Sequence, residues 1–283
     1  SLIETWNNGM SIKTQYDKPE DPPSKDVTMM LVIDEPFAEP RIHKNFPGGL
    51  ENLDINRQEV VAGDHDYWIK PTEHKSTYTY HKRLFSYQPA WKAENNDVIP
   101  FKMDDGNYEA DAETKNQIQF IIDSLAKSPF SRRSQGITYM PSYDQGDPEP
   151  PCLQRVWCRI GYDTDGTMVL NMNTHWRSRD AYKAAFMNMF ALTDLQKYIA
   201  NGVAQKIGKS VKVGRYVDIS DSYHIYGSYF NEFEPFFKVA TDPNKKFEDR
   251  TWRSDDEIIQ ACFEDGRGIL QREKETGQIG MAR

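Results

Sequence analysis

The sequence is poor in cysteine and in long apolar runs. Its cysteines, Cys152, Cys158 and Cys262, are odd in number and form no CxxC pair, which argues against a disulfide framework and favours a reduced compartment. No apolar stretch is long enough to cross a bilayer, and no signal peptide with a basic start and an apolar middle is present. We therefore expect a cytoplasmic protein without a membrane partner.

Several common enzyme signatures are also missing. The sequence has no P-loop, no GxGxxG after a strand, no HExxH and no GxSxG, so the usual signals of nucleoside triphosphatases, dinucleotide-dependent enzymes, zinc proteases and α/β-hydrolases are absent. His65 and His81 have no cysteine or histidine neighbour at zinc-ligand spacing. We therefore expect no metal.

Basic residues are outnumbered by acidic ones. Lys and Arg total 35 against 43 for Asp and Glu, which gives a formal net charge of -8. Nucleic-acid binding generally requires a basic surface, so nucleic acid is not expected as a partner. An anionic ligand would have to be bound by a local cluster of arginines that acts against the overall field.

The composition is that of a folded domain. The chain has 283 residues, of which 38% are hydrophobic and 12% aromatic, and no Gly/Ser/Pro-rich linker or repeat divides it. We predict a single domain over residues 1–283. Within it, residues 1–26 are expected to form a flexible N-terminal element and loop, and residues 264–283 a polar C-terminal tail.

The hydrophobic pattern mixes hairpins with long helices. Helical spacing of apolar residues predicts helices over residues 53–61, 111–127, 180–201 (with Gly202 as its stop) and 258–263. Runs rich in β-formers predict strands over residues 27–33, 137–143 and 211–219, and a hairpin of residues 153–160 and 167–174 that turns at Asp165-Gly166. Because regular βαβ alternation is lacking, the pattern indicates an α+β fold, with helices packed on a mixed or antiparallel sheet.

Cys152 is the first candidate for chemistry. A buried free cysteine is usually a small hydrophobic residue, and Cys158 and Cys262 are interpreted in that way. Cys152 instead follows Pro150 and Pro151, which fix the backbone at the entrance of a strand. A thiol there can project into a cleft, where nearby arginines would favour the nucleophilic thiolate.

Two arginine-containing segments could bind an anion. Arg132 and Arg133 follow the helix predicted over residues 111–127, although such a pair alone could be an ordinary solvated loop. Arg177 and Ser178 lie between a strand and a helix, where guanidinium groups, a hydroxyl and the positive end of the helix dipole can meet a phosphate.

Polar side chains on the helix and strand that follow complete the set. Asp180 is either the N-cap of its helix or a ligand-binding residue. Asn188 lies mid-helix, and its carboxamide can match both O4 and N3–H of uracil. His224 and Tyr226, two residues apart on an extended segment, share one side and could bind a sugar hydroxyl; alternatively, they form an ordinary aromatic strand face.

The order and spacing of these residues resemble the thymidylate synthase family, especially its divergent archaeal-like branch, from about Glu59 to Tyr226. The family's proline-proline-cysteine motif matches Pro150, Pro151 and Cys152. The resemblance implies the fold of that family, a homodimer, and transfer of one carbon from 5,10-methylenetetrahydrofolate to C5 of a pyrimidine nucleoside monophosphate. In that reaction the nucleophile bonds to C6 of the pyrimidine.

The resemblance also implies a role for each of the other candidates. It assigns phosphate binding to Arg132 and Arg133, supplied across the dimer, and to Arg177 and Ser178; pterin binding to Asp180; uracil recognition to Asn188; binding of the deoxyribose 3′-hydroxyl to His224 and Tyr226; and water-mediated proton transfer to Glu59.

The sequence departs from the family in several places. Leu153 stands where the usual synthase has a histidine directly after the nucleophile, and Trp176 stands where it has a glutamine. A tryptophan-rich segment that shields the reaction intermediate is not evident, although Trp68 or Trp91 could substitute. Residues 280–283 differ from the family's closing tail, and no residue matches its N-terminal phosphate-binding arginine.

Three functions follow from these features. The first is thymidylate synthase, a methyltransferase that converts dUMP to dTMP; Asn188 favours it, since aspartate there would suit cytosine. The second is a hydroxymethylase of dUMP, dCMP or CMP that adds water in place of hydride. It is suggested by the absence of an evident tryptophan-rich segment that would shield the intermediate from water, and by the altered C-terminal tail. The third is a nucleotide-binding protein that has lost catalysis, suggested by Leu153 and Trp176.

Overall fold

A computed structural model describes residues 1–69, 78–87, 90–92, 98–100 and 114–277. Its helices are α1 (Leu2–Asn8), α2 (Leu50–Val61), α3 (Tyr80–Phe85), α4 (Gln117–Lys127), α5 (Pro141–Asp144), α6 (Ala185–Ile207), α7 (Phe230–Ala240) and α8 (Glu257–Thr276). Its strands are β1 (Met10–Ile12), β2 (Ser24–Ile33), β3 (Ile42–His43), β4 (Ala90–Lys92), β5 (Val98–Pro100), β6 (Gln135–Ile137), β7 (Leu153–Tyr162), β8 (Met168–Trp176), β9 (Arg179–Asp180), β10 (Val211–Ile225) and β11 (Thr251–Trp252).

The chain forms two compact units. The first unit comprises Ser1–Gln58, Trp176–Asp194 and Tyr216–Arg283, and the second unit comprises Glu59–His175 and Leu195–Arg215.

A mixed sheet organises the first unit. β2, which contains the β-rich run predicted over residues 27–33, pairs antiparallel with β1 and with residues 216–225 of β10. The two-residue β9 adds to β10 in parallel, with Arg179 opposite Tyr223 and Asp180 opposite His224. This pairing brings two of the predicted ligand-binding segments side by side.

Aromatic side chains form much of the core of the first unit. Tyr182, Tyr223 and Phe233 are buried in one cluster, and Phe190 and Phe263 are buried in another. Burying a large apolar side chain stabilises a fold by about 1.5–3 kcal/mol. These clusters therefore hold α6, α7 and α8 in place and, with them, the polar residues that the same helices carry.

The predicted hairpin is confirmed in the second unit. β7 and β8 are neighbours in the sheet and are joined by a turn in which the N of Asp163 donates to the O of Thr167 at 3.0 Å. Gly166 has a φ of 80°, the left-handed conformation that favours glycine. β6 pairs antiparallel with β7, and β10 is the other neighbour of β8.

The helix predicted over residues 180–201 is displaced in the structure. Residues 180–184 form the end of β9 and a turn, so the helix begins later. α6 then runs through Gly202, the predicted stop, and ends directly before Gly208, whose φ is 64°. A Cβ at Gly202 would lie 2.7 Å from Cδ1 of Ile122. Gly202 is thus a packing position inside the helix, and the predicted stop is wrong.

Regular structure extends into both ends of the chain, where the sequence predicts a flexible N-terminal element and loop and a polar C-terminal tail. Residues 264–276 belong to α8, so the polar tail predicted over residues 264–283 is wrong for that part; residues 278–283 lie outside the described residues. The short helix predicted over residues 258–263 is the beginning of α8. At the N-terminus, residues 1–26 include α1, β1 and the start of β2, rather than only a mobile element and loop.

The helix predicted over residues 111–127 begins at Gln117. Asn116 is its N-cap, since its side chain accepts a hydrogen bond from the N of Gln119 at 2.8 Å. Residues 111–113 lie outside the described residues.

The strand predicted over residues 137–143 is wrong after Ile137. Pro141 begins α5, and the carboxylate of Asp144 at the end of that helix is buried. Arg83 binds this carboxylate with both terminal nitrogens, at 2.6 and 3.1 Å. A long-range ion pair therefore stabilises a helical turn where the sequence pattern predicts a strand.

Candidate functional site

Cys152 lies directly before β7 in the second unit and is half-buried. Gln154 fixes the backbone around it, because Nε2 of Gln154 donates to the O of Pro151 at 2.8 Å and to the O of Cys152 at 3.5 Å. The N of Thr138 donates to the O of Gln154 at 2.9 Å, and the Thr138 hydroxyl donates to the O of Leu153. A thiol on so constrained a backbone has a restricted direction, as a nucleophile requires.

The other two cysteines have different surroundings. Cys158 is completely buried in β7, and burial raises the pKa of its thiol far above the ordinary value. Burial and the nearby carboxylate of Glu51 also raise the pKa of Cys262 in α8. Because the thiolate is the reactive form, both sulfurs are poor nucleophiles, which agrees with a structural role.

Glu59 lies near the end of α2, and a histidine in the following turn holds its carboxylate. Nδ1 of His65 donates to Oε1 of Glu59. The imidazole is stacked on Trp68, with 3.6 Å between the ring centroids and 15° between the planes. His65 and Trp68 are buried, whereas 25% of the Glu59 side chain is exposed. This contact was missed in the sequence, where His65 was considered only as a metal ligand.

Arg132 and Arg133 lie in the loop between α4 and β6, and both are exposed. The loop is held by its main chain, since Nε1 of Trp157 donates to the O of Arg132 at 3.0 Å. Neither guanidinium group makes a hydrogen bond or ion pair with another described residue. Both charges are therefore available to an anion.

Arg177 and Ser178 connect β8 to β9 in the first unit and are half-buried. Their neighbour Arg179 anchors them: its Nη1 donates to Oδ2 of Asp218 at 2.6 Å, and its Nη2 donates to the O of Ala185 at 2.8 Å. Arg179 is buried, and no motif in the sequence indicates this role. The anchor fixes the backbone that carries the two predicted phosphate-binding side chains.

Trp176 belongs to the same anchor. Its buried ring lies 3.8 Å from Cζ of Arg179, which is a cation–π contact. The tryptophan that replaces the family's glutamine therefore packs on an arginine three residues later in the chain. Its burial indicates a structural role at this position.

Asp180 is an N-terminal cap for the turn that leads into α6. Its Oδ1 accepts hydrogen bonds from the N of Tyr182 at 3.0 Å and from the N of Lys183 at 2.9 Å. Burial raises the pKa of Asp180, and these hydrogen bonds together with nearby His224 offset part of the rise. The capping alternative is confirmed in this form, and it occupies only one of the two carboxylate oxygens.

His224 is next to Asp180 through the pairing of β9 with β10, where the N of Ala181 donates to the O of His224 at 2.8 Å. Burial lowers the pKa of His224, and Asp180 and Asp26 offset this in part. Its Nδ1 lies 3.1 Å from Oγ of Ser222. Its Nε2 is buried and has no hydrogen-bond partner among the described residues. Such an atom costs about 1–3 kcal/mol, which a hydroxyl of a ligand would remove.

Tyr226 lies on the same side of the chain as His224, as the spacing predicts. The two ring centroids are 4.5 Å apart and the planes are inclined by 73°. Tyr226 is half-buried and ends the extended segment, because a 3₁₀ turn follows it at Gly227–Tyr229. The phenol and the imidazole can therefore contact one ligand together.

Asn188 lies in the first turns of α6, where its N donates to the O of Ala184 at 3.0 Å. The side chain is half-buried and makes no hydrogen bond with another described residue. Its carboxamide is available to a planar group that both donates and accepts.

Neither a cluster of metal-ligating side chains nor a membrane-spanning helix is found in the described part of the chain. No group of three or more His, Cys, Asp or Glu side chains there could hold a metal ion. None of the helices in those residues combines the length and the apolar character needed to span a membrane. The side chain of Trp91, one of the two possible shielding tryptophans, lies outside the described residues.

Comparisons with known proteins agree with the motifs. The model of the thymidylate synthase family matches residues 58–265. A provisionally named thymidylate synthase of Methanosarcina acetivorans is 26% identical over 221 residues, which cover 78% of this chain and 81% of that protein. One of Methanocaldococcus jannaschii is 34% identical over 155 residues, or 53% of this chain and 55% of that protein.

The fold is also similar to a solved one. Thermostable thymidylate synthase A from Bacillus subtilis matches with a TM-score of 0.53 and 17% identity, over 83% of this chain and 80% of that chain. The predicted α+β, thymidylate synthase-like fold is therefore confirmed. Members of the matched family are one-carbon transfer enzymes of pyrimidine metabolism that use methylenetetrahydrofolate. The chain belongs to the thymidylate synthase family.

Proposed function

We propose that the protein transfers one carbon from 5,10-methylenetetrahydrofolate to C5 of dUMP and forms dTMP. Family membership supports the class of reaction. The single observation that carries the assignment is Cys152, a half-buried thiol on a constrained backbone, while Cys158 is fully buried and its thiol pKa is raised. When bound, the folate supplies the carbon and a hydride.

The thiol of Cys152 would act as the covalent catalyst. Its thiolate forms a bond to C6 of the pyrimidine, and the displaced electron pair makes C5 nucleophilic toward the one-carbon unit. C5 then loses its proton, and the electron pair left on C5 expels the folate amine from the transferred carbon. Hydride from the folate would reduce the resulting methylene to a methyl group, and breaking of the C6–S bond returns the electron pair to sulfur. Glu59, partly exposed and fixed by His65, would move protons through water.

The residues of the first unit would bind the nucleotide. Arg177 and Ser178, with Arg132 and Arg133 supplied by the second subunit of a homodimer, would bind the phosphate. The unpartnered Nε2 of His224, and the nearby phenol of Tyr226, would bind the 3′-hydroxyl of the sugar. Asn188 would contact O4 and N3–H of uracil, for which its amide has one donor and one acceptor.

Asp180 fits the pterin of the folate. Pterin rings carry N–H donors, and a carboxylate is an acceptor with several lone pairs. The cap uses only Oδ1 of Asp180, so its other oxygen can accept from a ligand.

The product distinguishes thymidylate synthesis from the alternative functions, which are hydroxymethylation and nucleotide binding without catalysis. Purified protein would be given dUMP labelled with tritium at C5 and methylenetetrahydrofolate, and the nucleotide product analysed by mass. Tritium release with a gain of one CH₂ supports thymidylate synthesis. Nucleotide binding without any tritium release would contradict it and indicate a protein that has lost catalysis.

Cys152→Ser is expected to abolish turnover, because a hydroxyl near neutral pH is far less ionised and less nucleophilic than a thiol. Binding of dUMP, measured by equilibrium dialysis, should be nearly unchanged. Cys262→Ser is the matched control and should retain wild-type turnover. Activity that persists in Cys152→Ser would remove the nucleophile from the proposal.

The burial of Trp68 favours a second candidate, a pyrimidine-nucleotide hydroxymethylase. Its side chain is only 5% exposed and stacks on His65, so this indole is already engaged in packing. A site that admits water in place of hydride transfer would yield a hydroxymethyl group. A product that carries one oxygen more than dTMP would decide for this reaction, with dUMP, dCMP and CMP tested in turn.

A further inference from the structure

We propose that His65 is a positioning residue that orients the carboxylate of Glu59 for proton transfer. The inference rests on the proposed function, in which Glu59 manages the protons of the reaction. It adds a residue that none of the motifs in the sequence indicates.

The contact has the geometry of a support for a catalytic group. Nδ1 of His65 donates to one oxygen of Glu59, which leaves the direction of the second oxygen fixed. A glutamate side chain otherwise has several torsions, and ordering a long side chain costs about 1–2 kcal/mol. This cost is met by the folded protein before substrate arrives.

Trp68 keeps the imidazole itself in place. The two rings are nearly parallel, with 3.6 Å between centroids, and His65 is only 4% exposed. A buried imidazole stacked on a larger ring cannot rotate without losing that contact. Orientation therefore passes from Trp68 to His65 and from His65 to Glu59.

The residue that follows the nucleophile, Leu153, suggests why His65 contacts Glu59. The usual member of the family has a histidine there, whereas this chain has Leu153, which is fully buried and carries no group that can exchange a proton. His65 supplies an imidazole from a different segment of the same unit, and that imidazole contacts the predicted catalytic carboxylate.

The second unit offers a matched control. Nδ1 of His81 lies 2.7 Å from Oδ2 of Asp66, and its ring stacks on Phe85 with 4.3 Å between centroids. This pair has the same chemistry as the pair of His65 and Glu59. The carboxylate of Asp66 has no role in the proposed reaction. Removing the hydrogen bond between His81 and Asp66 therefore tests for general effects on the fold.

The test uses His65→Phe, which keeps an aromatic ring on Trp68 and removes the hydrogen bond, and His65→Asn, which restores an amide donor. For each variant, the rate of tritium release from dUMP labelled at C5 is divided by the concentration of sites that bind dUMP, which gives kcat. The Kd for dUMP is measured separately. His65→Phe should lower kcat about 10- to 100-fold with Kd unchanged. His65→Asn should recover part of the loss, and His81→Phe should retain wild-type kcat.

Each other outcome has a clear meaning. Wild-type kcat in His65→Phe would overturn the positioning role while leaving the proposed function intact. The positioning role would also be overturned if the activity lost in His65→Phe is fully explained by a smaller number of sites that still bind dUMP. The same conclusion follows if His65→Asn has no higher kcat than His65→Phe. Absence of tritium release from the wild-type protein would overturn both the positioning role and the proposed function.

Discussion

At the scale of single residues, Asn188 determines the choice of base in the proposed reaction. Asn188→Asp replaces the donor to O4 of uracil with a second acceptor, which suits the exocyclic amine of cytosine. We expect the ratio of kcat/KM for dCMP to that for dUMP to rise by about tenfold or more. Competition between the two nucleotides would measure this ratio.

Asn188→Ala serves as the control for this change, because it removes donor and acceptor together. It should lower activity on dUMP and weaken the discrimination between the two nucleotides, without creating a preference for dCMP. If Asn188→Asp leaves the ratio constant, then Asn188 does not contact the base.

Arg179 is expected to be the side chain whose loss most weakens the segment that carries Arg177 and Ser178. Arg179→Met would leave the buried carboxylate of Asp218 without its charged partner. Breaking a buried ion pair in this way typically costs about 3–5 kcal/mol, and the hydrogen bond from the hydroxyl of Tyr216 to Asp218 favours the lower end. Urea denaturation would give the change in the free energy of unfolding.

Two further variants separate the buried pair from general effects of removing arginine. In the double variant Arg179→Met with Asp218→Leu, no uncompensated charge remains, so part of the lost stability should return. Arg253→Met removes an arginine that pairs with Asp255 at the surface, and the free energy of unfolding should not change measurably. Equal losses in Arg179→Met and Arg253→Met would rule out the buried pair as the cause.

Candidate site residues could be proposed from the sequence by their own chemistry, whereas side chains that hold the candidates in place through distant partners could not. Cys152 was indicated by the two prolines before it, and His224 and Tyr226 by their spacing. Arg179 gave no signal, because its partner Asp218 lies 39 positions away. The partner of Glu59 was missed for a related reason: the contact of His65 depends on how the chain turns after α2 ends.

At the scale of secondary structure, glycines lie inside the two helices that run past their predicted ends. Gly202 in α6 and Gly266 in α8 both lie inside their helices. A Cβ at Gly266 would lie 2.7 Å from the O of Glu51, and a Cβ at Gly202 would lie equally close to Ile122. In a sequence, a glycine is equally typical of a helix end and of a close packing contact inside a helix. The two cases differ in whether another segment packs against the glycine, which the sequence pattern does not reveal.

Gly202→Ala should therefore destabilise the protein although alanine is the better helix former. Alanine gains about 0.5–1 kcal/mol in helix propensity, but its methyl group would overlap the side chain of Ile122. Overpacking of a core commonly costs about 1–3 kcal/mol, so we expect a small net loss in the free energy of unfolding. Adding Ile122→Val, which removes Cδ1, should recover stability.

Gly268 in α8 is the matched control for this substitution. A Cβ there would contact only Nη1 of Arg272, at an ordinary 3.5 Å. Gly268→Ala should consequently raise the free energy of unfolding by about 0.5–1 kcal/mol. If Gly202→Ala stabilised the protein as much as Gly268→Ala, close packing would not explain why α6 continues past the predicted stop.

At the scale of the whole molecule, the net charge of -8 opposes the binding of a nucleotide phosphate. Attraction must therefore come from local arginines. Arg132 and Arg133 are exposed, and their guanidinium groups have no partner among the described residues. In the proposed homodimer these two guanidinium groups bind the phosphate in the site of the other subunit. Each site then depends on both chains, which makes dimerisation a condition for activity.

Complementation between two inactive variants tests this dependence. In a mixed dimer of Cys152→Ser and Arg133→Ala, one site keeps an intact thiol and receives Arg133 from the other subunit. Random mixing makes about half of the dimers mixed, and each has one working site of two, so about a quarter of the wild-type activity should return. Mixing Cys152→Ser with Arg177→Ala is the control, because Arg177 is proposed to serve the same site as the thiol of its own chain, and no activity should return. If native mass spectrometry shows mixed dimers and the first mixture stays inactive, Arg133 does not act across the dimer.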